Sequence, residues 1–464
     1  MPTRTLLGHR FDPAILREYD IRGLVGKNLK SEDAAALGRA FGTTLARRGG
    51  HTVALAYDVR QSSPEFAAIL RDNLRATGCD VVDVGMGPTP MLYYATRHLG
   101  TDAGIMVTGS HNPSEYNGFK MVLGKSTIHG SDIRDLAKIA ETGKFAQGRG
   151  AFREQPVLDD YVGRLMQGIR PGRYLRICWD PGNGAASDAL AKLTELFPAE
   201  HHVINGLPDG RFPAHHPDPT MPENLVQLRD LVANEKLDLG IAFDGDGDRI
   251  GVVDDKGRIL WGDQLMVLYA REVLRDRPGA TIIADVKASQ VLFDEIARAG
   301  GKPLMWRTGH SLIKSKMQET GSPLAGEMSG HIFFADRYYG FDDALYAAVR
   351  LLMILAGQGS KLSELRDAIP AVINTPELRF PCSEARKFKV VEEVRARLAA
   401  EGAPVNDTDG VRVTRPHGWW LLRASNTQDV LVARCEARNE GDLARLKDEL
   451  AACLKASFIT PPGF

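Results

Sequence analysis

No two cysteines of the sequence lie close together. The five, Cys79, Cys178, Cys382, Cys435 and Cys453, are odd in number and scattered, which argues against a disulfide framework or a zinc site and fits reduced thiols. No uncharged apolar stretch approaches the roughly 18 residues of a membrane span, and the opening MPTRTLLGHRFDP lacks the apolar run of a secretory signal. Neither charge is in excess: 58 Lys plus Arg face 59 Asp plus Glu, a formal charge of −1. Proteins that bind nucleic acid or membrane surfaces carry a basic excess, so neither partner is expected. Walker-A and G-x-S-x-G motifs are also missing, and GNGAAS at Gly182–Ser187 resembles a dinucleotide fingerprint only in part. What is present is 464 residues, 43% hydrophobic and 25% charged, enough for three or four domains with substantial cores. A soluble cytoplasmic protein is expected.

The recurring pattern is strand, helix, strand, helix, strand. VALAYD (Val53–Asp58) leads through a helical stretch, Ser63–Thr77, to DVVDVG, a second helix around Met91–Leu99, and Ala103–Thr108. A second pass runs from Tyr174–Asp180 to Leu239–Phe243, and a third from Thr281–Asp285 to Pro323–Ala325. Each pass starts with a strand ending in Asp58, Asp180 or Asp285 and closes on a polar, Gly-containing loop. From these aspartates to Ser110, Asp244 and Glu327 the separations are 52, 64 and 42 residues, the size of a small α/β domain rather than a solenoid repeat. Such alternation predicts mostly parallel sheets with ligand loops beyond the strands' carboxyl ends. From about Val372 the pattern becomes strand, helix (Phe388–Ala399), close strands VRVTR, WWLLRAS and VLVARCEAR, and helix Leu443–Lys455, with DTDG (Asp407–Gly410) as turn chemistry. The reading is α/β: three related α/β domains with mixed, mostly parallel sheets, and a C-terminal α+β domain. Their expected limits are 1–155, 156–258, 259–370 and 371–464.

Four loops carry candidate chemistry. In Asp244-Gly-Asp246-Gly-Asp248-Arg249, carboxylates at i, i+2 and i+4 can surround one hard divalent cation; without one they would repel and raise each other's pKa. The apolar flanks IAF and IGVV oppose a merely solvated acidic turn. An EF-hand would need Gly where Arg249 stands, and a haloacid-dehalogenase-like nucleophile would need Thr or Val at Asp248. In Thr108-Gly-Ser110-His111-Asn-Pro, Ser110 reads either as a turn or helix N-cap or as a hydroxyl presented beside an imidazole and amides suited to phosphate. Lys120 is a candidate cation for this loop. Gly-Glu327-Met-Ser329-Gly-His331 offers groups that can grip vicinal sugar hydroxyls, although His331 before IFF also reads as a core histidine. Arg423-Ala-Ser425-Asn426-Thr427 reads as an anion cradle or an ordinary polar turn. His215-His216-Pro-Asp218 lacks the rest of a zinc ligand set.

Together these loops resemble those of the α-D-phosphohexomutase superfamily: TGSHNP its phosphoserine loop, DGDGDR its metal loop, GEMSGH its sugar loop and RASNT its phosphate loop. They follow the family order across nearly the whole chain. REYDIRG (Arg17–Gly23), KAS (Lys287–Ser289) and TGHS (Thr308–Ser311) also resemble family motifs. The wording is most similar to the bacterial bifunctional phosphomannomutase/phosphoglucomutase branch; phosphoglucosamine mutases typically carry Ser-Ala-Ser in the first loop and Gln at the position of Met328.

The resemblance implies domains arranged around a central cleft, and reversible phosphoryl transfer between hexose 1-phosphate and hexose 6-phosphate, with mannose or glucose as the sugar. Phosphorylated Ser110 would be the donor and hexose 1,6-bisphosphate the intermediate and activator. Asp244, Asp246 and Asp248 would hold Mg²⁺ with a phosphoserine oxygen of Ser110. His111, Lys120, Arg249 and His331 would be catalytic, with the acid/base role open between His331 and Lys120. Tyr19, Arg22, Lys287, His310, Glu327, Ser329, His331, Arg423, Ser425, Asn426 and Thr427 would bind substrate. Three carboxylates and a phosphate near −2 total about −5, leaving about −3 after Mg²⁺, for Arg249 and Lys120 to offset. The partners expected are sugar phosphates, acting on a monomer. The alternatives are a phosphoglucosamine mutase, a metal-dependent sugar phosphatase, and a non-catalytic sugar-phosphate binder.

Overall fold

Short runs rich in Val, Ile and Ala, separated by amphipathic helices, build the first sheet. The computed structural model describes residues 8–170, 172–426 and 428–461. Its first strands are β1 (Ile21–Leu24), β2 (Thr52–Tyr57), β3 (Asp80–Met86), β4 (Ala103–Val107), β5 (Tyr116–Leu123), β6 (Ser126–Thr127) and β7 (Phe152–Glu154). They are ordered β1-β5-β4-β2-β3-β7, with β6 on β5. Strands β4, β2, β3 and β7 run parallel, with β7 at the edge, whereas β5 is antiparallel to β4 and β1. Val53–Ala56 are buried on both faces of β2, so the strand reads as a continuous apolar run rather than an alternating one. Leu37, Phe41, Phe66, Leu70 and Leu136, spaced at helical intervals, cover Val53, Leu55, Ile105 and Phe119.

A second sheet repeats the plan with β8 (Arg176–Asp180), β9 (Glu200–Val203), β10 (Leu239–Phe243), β11 (Ile250–Asp254) and β12 (Ile259–Leu260), ordered β12-β11-β10-β8-β9. Here β9, β8 and β10 are parallel, and β11 and β12 fold back antiparallel. The described residues fall into two compact units. One runs to Leu265 and resumes over Ser329–Leu365; the other comprises Met266–Met328 and continues from Arg366. The second unit contains the parallel strands β13 (Thr281–Asp285), β14 (Lys302–Trp306) and β15 (Leu324–Gly326), ordered β14-β13-β15. After β16 (Ile332–Phe334), which belongs to the first unit, come β17 (Ile373–Asn374), β18 (Leu378–Pro381), β19 (Val405–Asn406), β20 (Val411–Arg415), β21 (Gly418–Ala424) and β22 (Val430–Ala437). These form an antiparallel sheet, β17-β22-β21-β20-β19, with β18 also on β22. Leu446, Leu450 and Leu454 of helix Glu440–Lys455 pack on Trp420, Leu422 and Cys435.

The first two sheets are mixed, as read from the sequence, and in each the motif loop joins antiparallel neighbours. The Ser110 loop joins β4 to antiparallel β5, and the Asp244–Arg249 loop joins β10 to antiparallel β11. Antiparallel neighbours can be joined by a short loop, whereas parallel ones need a crossover. Ser110 is therefore not a helix N-cap.

Behind these loops in the first unit lies an aromatic cage around Asp343, which caps helix Ala344–Gly357 by accepting from the Tyr346 N–H at 2.9 Å. Tyr161 Oη donates to both carboxylate oxygens at 3.0 Å and Tyr338 Oη to one at 2.8 Å. Tyr338 stacks on Tyr346 at 3.9 Å. Burial lifts the Asp343 carboxyl to about 6 despite these donors. The folded state thus holds this proton more tightly than the unfolded chain. The resulting stability is present below pH ~4 and is lost as pH rises through ~6. The wild-type unfolding free energy should therefore fall relative to that of Asp343→Asn by roughly 3 kcal/mol between pH 4 and 7. Urea titrations at both pH values check this; parallel curves would contradict it.

Candidate active site

The backbone at Ser110 is held in an unfavourable conformation. Its φ is +50°, in the left-handed region that non-glycine residues seldom occupy, and the hydroxyl of Thr108 accepts from its N–H at 2.8 Å. The restraint is Arg60, a fully buried residue that the sequence reading did not single out. Its guanidinium donates to the carbonyls of Ser110 (2.7 Å), Asn112 (2.5 Å), Pro113 (2.5 Å) and Tyr116 (2.9 Å). Asp58, at the end of β2, accepts from Arg60 Nε at 3.2 Å, from Thr108 Oγ1 at 2.7 Å and from the Gly109 N–H at 3.3 Å. Gly109 is required because a Cβ there would lie 2.6 Å from the Arg60 guanidinium carbon.

The acidic loop presses against the same turn. A Cβ on Gly245 would stand 2.4 Å from the Ser110 carbonyl oxygen. Asp244, Asp246 and Asp248 are fully buried, and one oxygen of each lies within 4.8 Å of the others. Ser110 Oγ is 3.4 Å from Asp244 Oδ2 and 3.2 Å from His111 Nδ1. Lys120, on β5, donates to Asp246 at 2.6 Å and to Asp248 at 2.5 Å. His331 Nε2 lies 3.1 Å from Asp248 Oδ1 and 3.3 Å from Arg249 Nε, and Ser329 Oγ is 3.4 Å from His331 Nδ1. Thr89 donates to Asp246, whose Oδ1 has no hydrogen-bond partner among the described residues. A buried carboxylate oxygen of this kind, within three converging aspartates, suits a hard cation.

Electrostatics separates the three carboxyls. Burial, then Asp248 and Asp246, push Asp244 well above the carboxylate range. Burial acts the same way on Asp248, but Lys120 and His331 outweigh it and hold Asp248 well below its ordinary value. Burial would depress Lys120; its two carboxylates reverse that and keep it charged. His111 is held well below the usual histidine range by burial, and further by Arg249 and Arg22. An imidazole beside Ser110 Oγ is therefore neutral. Arg22 reaches the same loop through Asn112 Oδ1 at 2.8 Å and also pairs with Asp20, while Tyr19 lies half-buried in the bend before β1.

The second unit gathers the remaining candidates. Lys287 Nζ sits 3.0 Å from Glu377 and 3.9 Å from Asp285. Glu327 Oε1 accepts from the Gly309 N–H at 2.6 Å, and His310 Nδ1 is 3.4 Å from Lys314 Nζ. Arg423 Nε donates to Asp409 Oδ2 at 2.9 Å. Ser425 is buried after β21, its N–H donating to the Val430 carbonyl at 3.0 Å, and Asn426 follows half-buried. Thr427 lies outside the described residues. Glu377, Asp409 and Lys314 were missed by the sequence reading. His215 pairs through Nε2 with Asp180 at 2.9 Å.

Four family descriptions match the chain in succession: phosphoglucomutase/phosphomannomutase alpha/beta/alpha domain I over residues 13–147, domain II over 159–257, domain III over 261–372, and the C-terminal domain over 377–452. The sequence is 44% identical over 443 residues to a phosphomannomutase/phosphoglucomutase of Pseudomonas aeruginosa, covering 96% of each chain. It is 41% identical over 447 residues to a phosphoglucomutase of Neisseria gonorrhoeae, covering 96% of this chain and 97% of that one. A crystal structure of a phosphoglucomutase/phosphomannomutase family protein from Burkholderia thailandensis superposes with a TM-score of 0.92 at 44% identity, covering 97% and 98% of the two chains.

The Arg60 clamp has a direct test. Arg60→Met leaves Asp58 buried without its cation and should cost about 3–5 kcal/mol in urea unfolding. A loss below about 1 kcal/mol would show that Arg60 does not hold the loop.

Proposed function

This chain belongs to the phosphoglucomutase/phosphomannomutase family, and on that premise we propose how its residues divide the work of a hexose-phosphate mutase. The enzyme interconverts hexose 1-phosphate and hexose 6-phosphate. The observation that supports the assignment of roles is the Ser110 hydroxyl lying against His111 and Asp244, the latter clustered with Asp246 and Asp248, to which Lys120 donates.

In this reading Ser110 carries the phosphoryl group between turnovers. The bond from Ser110 Oγ to phosphorus breaks as one forms to a sugar hydroxyl, whose proton passes to His331 in this reading, because Asp246 and Asp248 keep Lys120 in its charged form. The product is hexose 1,6-bisphosphate, and its other phosphate then returns to Ser110 by the reverse step. Lys120 and Arg249 stabilise the charge that spreads over the transferring oxygens. Asp244, Asp246 and Asp248 would hold Mg²⁺ with a phosphoserine oxygen, and the ion supplies further neutralisation of that charge when bound. Neutral His111 lines the serine without adding charge, and Arg22 and Tyr19 bind substrate from the first domain. Glu327 and Ser329 take sugar hydroxyls, with Lys287 and His310 beside the substrate. Arg423, Ser425, Asn426 and Thr427 hold the phosphate that is not reacting. No helix among the described residues is long and apolar enough to cross a membrane. The balanced charge and five unbridged cysteines support a cytoplasmic enzyme, which we take to act as a monomer on free sugar phosphates.

Ser110→Ala should lower turnover of glucose 1-phosphate and mannose 1-phosphate by at least about a thousandfold, while calorimetry shows hexose 1,6-bisphosphate still binding. Undiminished turnover would contradict the phosphoserine route, and stoichiometric release of inorganic phosphate by the wild type would identify a phosphatase instead. Treatment with EDTA should stop turnover, and added Mg²⁺ should restore it; full activity after exhaustive chelation would contradict the role given to the three aspartates.

A further inference from the structure

The turn Asp407–Gly410, legible in the sequence only as a connection before a hairpin, carries a carboxylate with two separate duties. Asp409 Oδ2 accepts from Arg423 Nε at 2.9 Å and from the Thr308 N–H at 3.1 Å. Next to it, Arg307 Nε donates to the Thr408 carbonyl at 3.0 Å. The turn is fixed against the arginine's own strand: at Gly410, with φ +86°, a Cβ would meet the Leu422 carbonyl oxygen at 2.3 Å and Arg423 Cβ at 2.7 Å. From Thr308 the hydrogen bonds continue. Thr308 Oγ1 donates to Asp285 Oδ2 at 3.2 Å, and Asp285 Oδ1 accepts from the Met328 N–H at 3.2 Å. The adjoining Gly309 N–H is the donor held by Glu327.

We propose that Asp409 is a positioning residue that fixes the Arg423 guanidinium for phosphate and ties that grip to the loops carrying His310 and Glu327. The proposal rests on the reading of Arg423 as a phosphate ligand. An arginine held through Nε has the plane of its fork set in advance, so less side-chain freedom is lost when phosphate binds. The same carboxylate oxygen also receives the backbone N–H that opens the Thr308–Ser311 motif. A shift of Arg423 toward an anion therefore pulls on the loop that positions His310 and Glu327. Aspartate suits both donors. Asparagine can retain one acceptor but removes the charge, and glutamate carries its oxygens a bond further from a turn that cannot move.

The experiment is steady-state kinetics with glucose 1-phosphate at saturating hexose 1,6-bisphosphate, on wild type, Asp409→Asn, Asp409→Glu, Arg423→Gln and the Asn/Gln double variant. The account expects Asp409→Asn to raise KM about tenfold with kcat within about threefold of wild type, and inorganic phosphate to inhibit it correspondingly less. Asp409→Glu should recover part of the loss. In the Arg423→Gln background, Asp409→Asn should add less than about twofold, because the two residues act as one. An unchanged KM in both Asp409 variants, or losses that multiply independently in the double variant, would overturn the proposal. If Arg423→Gln itself leaves KM unchanged, it is the phosphate-binding reading of Arg423 that fails.

Discussion

Three carboxylates cannot share one dry loop without positive charge pressed against them, and the first unit is arranged around that constraint. Asp244, Asp246 and Asp248 are fully buried, at a depth where an uncompensated charge costs several kcal/mol. Lys120 answers two of them directly, His331 and Arg249 approach from the other side, and Asp246 keeps one oxygen without a hydrogen bond among the described residues. The balance is incomplete. Asp244 is driven toward its neutral form by burial and its two neighbours, as expected of a site that completes its charge with a cation.

The same constraint accounts for the rigidity around Ser110. A phosphoryl group on that hydroxyl brings further negative charge to the carboxylates, so its position must be set by covalent and hydrogen-bonded structure rather than by attraction. The left-handed backbone of Ser110, the four carbonyls gathered by Arg60 and the close approach required of Gly109 and Gly245 do this. The strand-ending aspartates organise comparable turns elsewhere. Asp180 accepts from the Gly182 N–H and pairs with His215, and Asp285 holds Thr308 and Met328. Their recurrence in the sequence thus marks a repeated structural device: a carboxylate at the end of one strand that orders the neighbouring loops.

Much of this was legible in the residues. The three strand-to-loop passes, the change of pattern near Val372 and the four motif loops all correspond to features of the fold, and Lys120 does reach the acidic loop. What could not be read was register. Whether the Ser110 loop enters a helix or an antiparallel strand depends on β5 pairing with β4, a contact made by sheet geometry rather than by local pattern. Arg60 acts on carbonyls some fifty residues away; the available signal was an arginine two positions after a strand-ending aspartate, which is a common sequence. Asp409 and Glu377 act on Arg423 and Lys287 through tertiary contacts, and a turn aspartate with a role in capture looks in sequence like any other turn aspartate.

The central claim is that Ser110 stores the phosphoryl group. Intact-mass spectrometry of the purified protein, before and after alkaline phosphatase and again after incubation with hexose 1,6-bisphosphate and Mg²⁺, tests it most directly. The account predicts a mass increment of one phosphoryl group that the phosphatase removes, the bisphosphate restores and peptide mapping assigns to Ser110. A protein that turns over hexose phosphates while never carrying that increment, or carrying it at another residue, would contradict it.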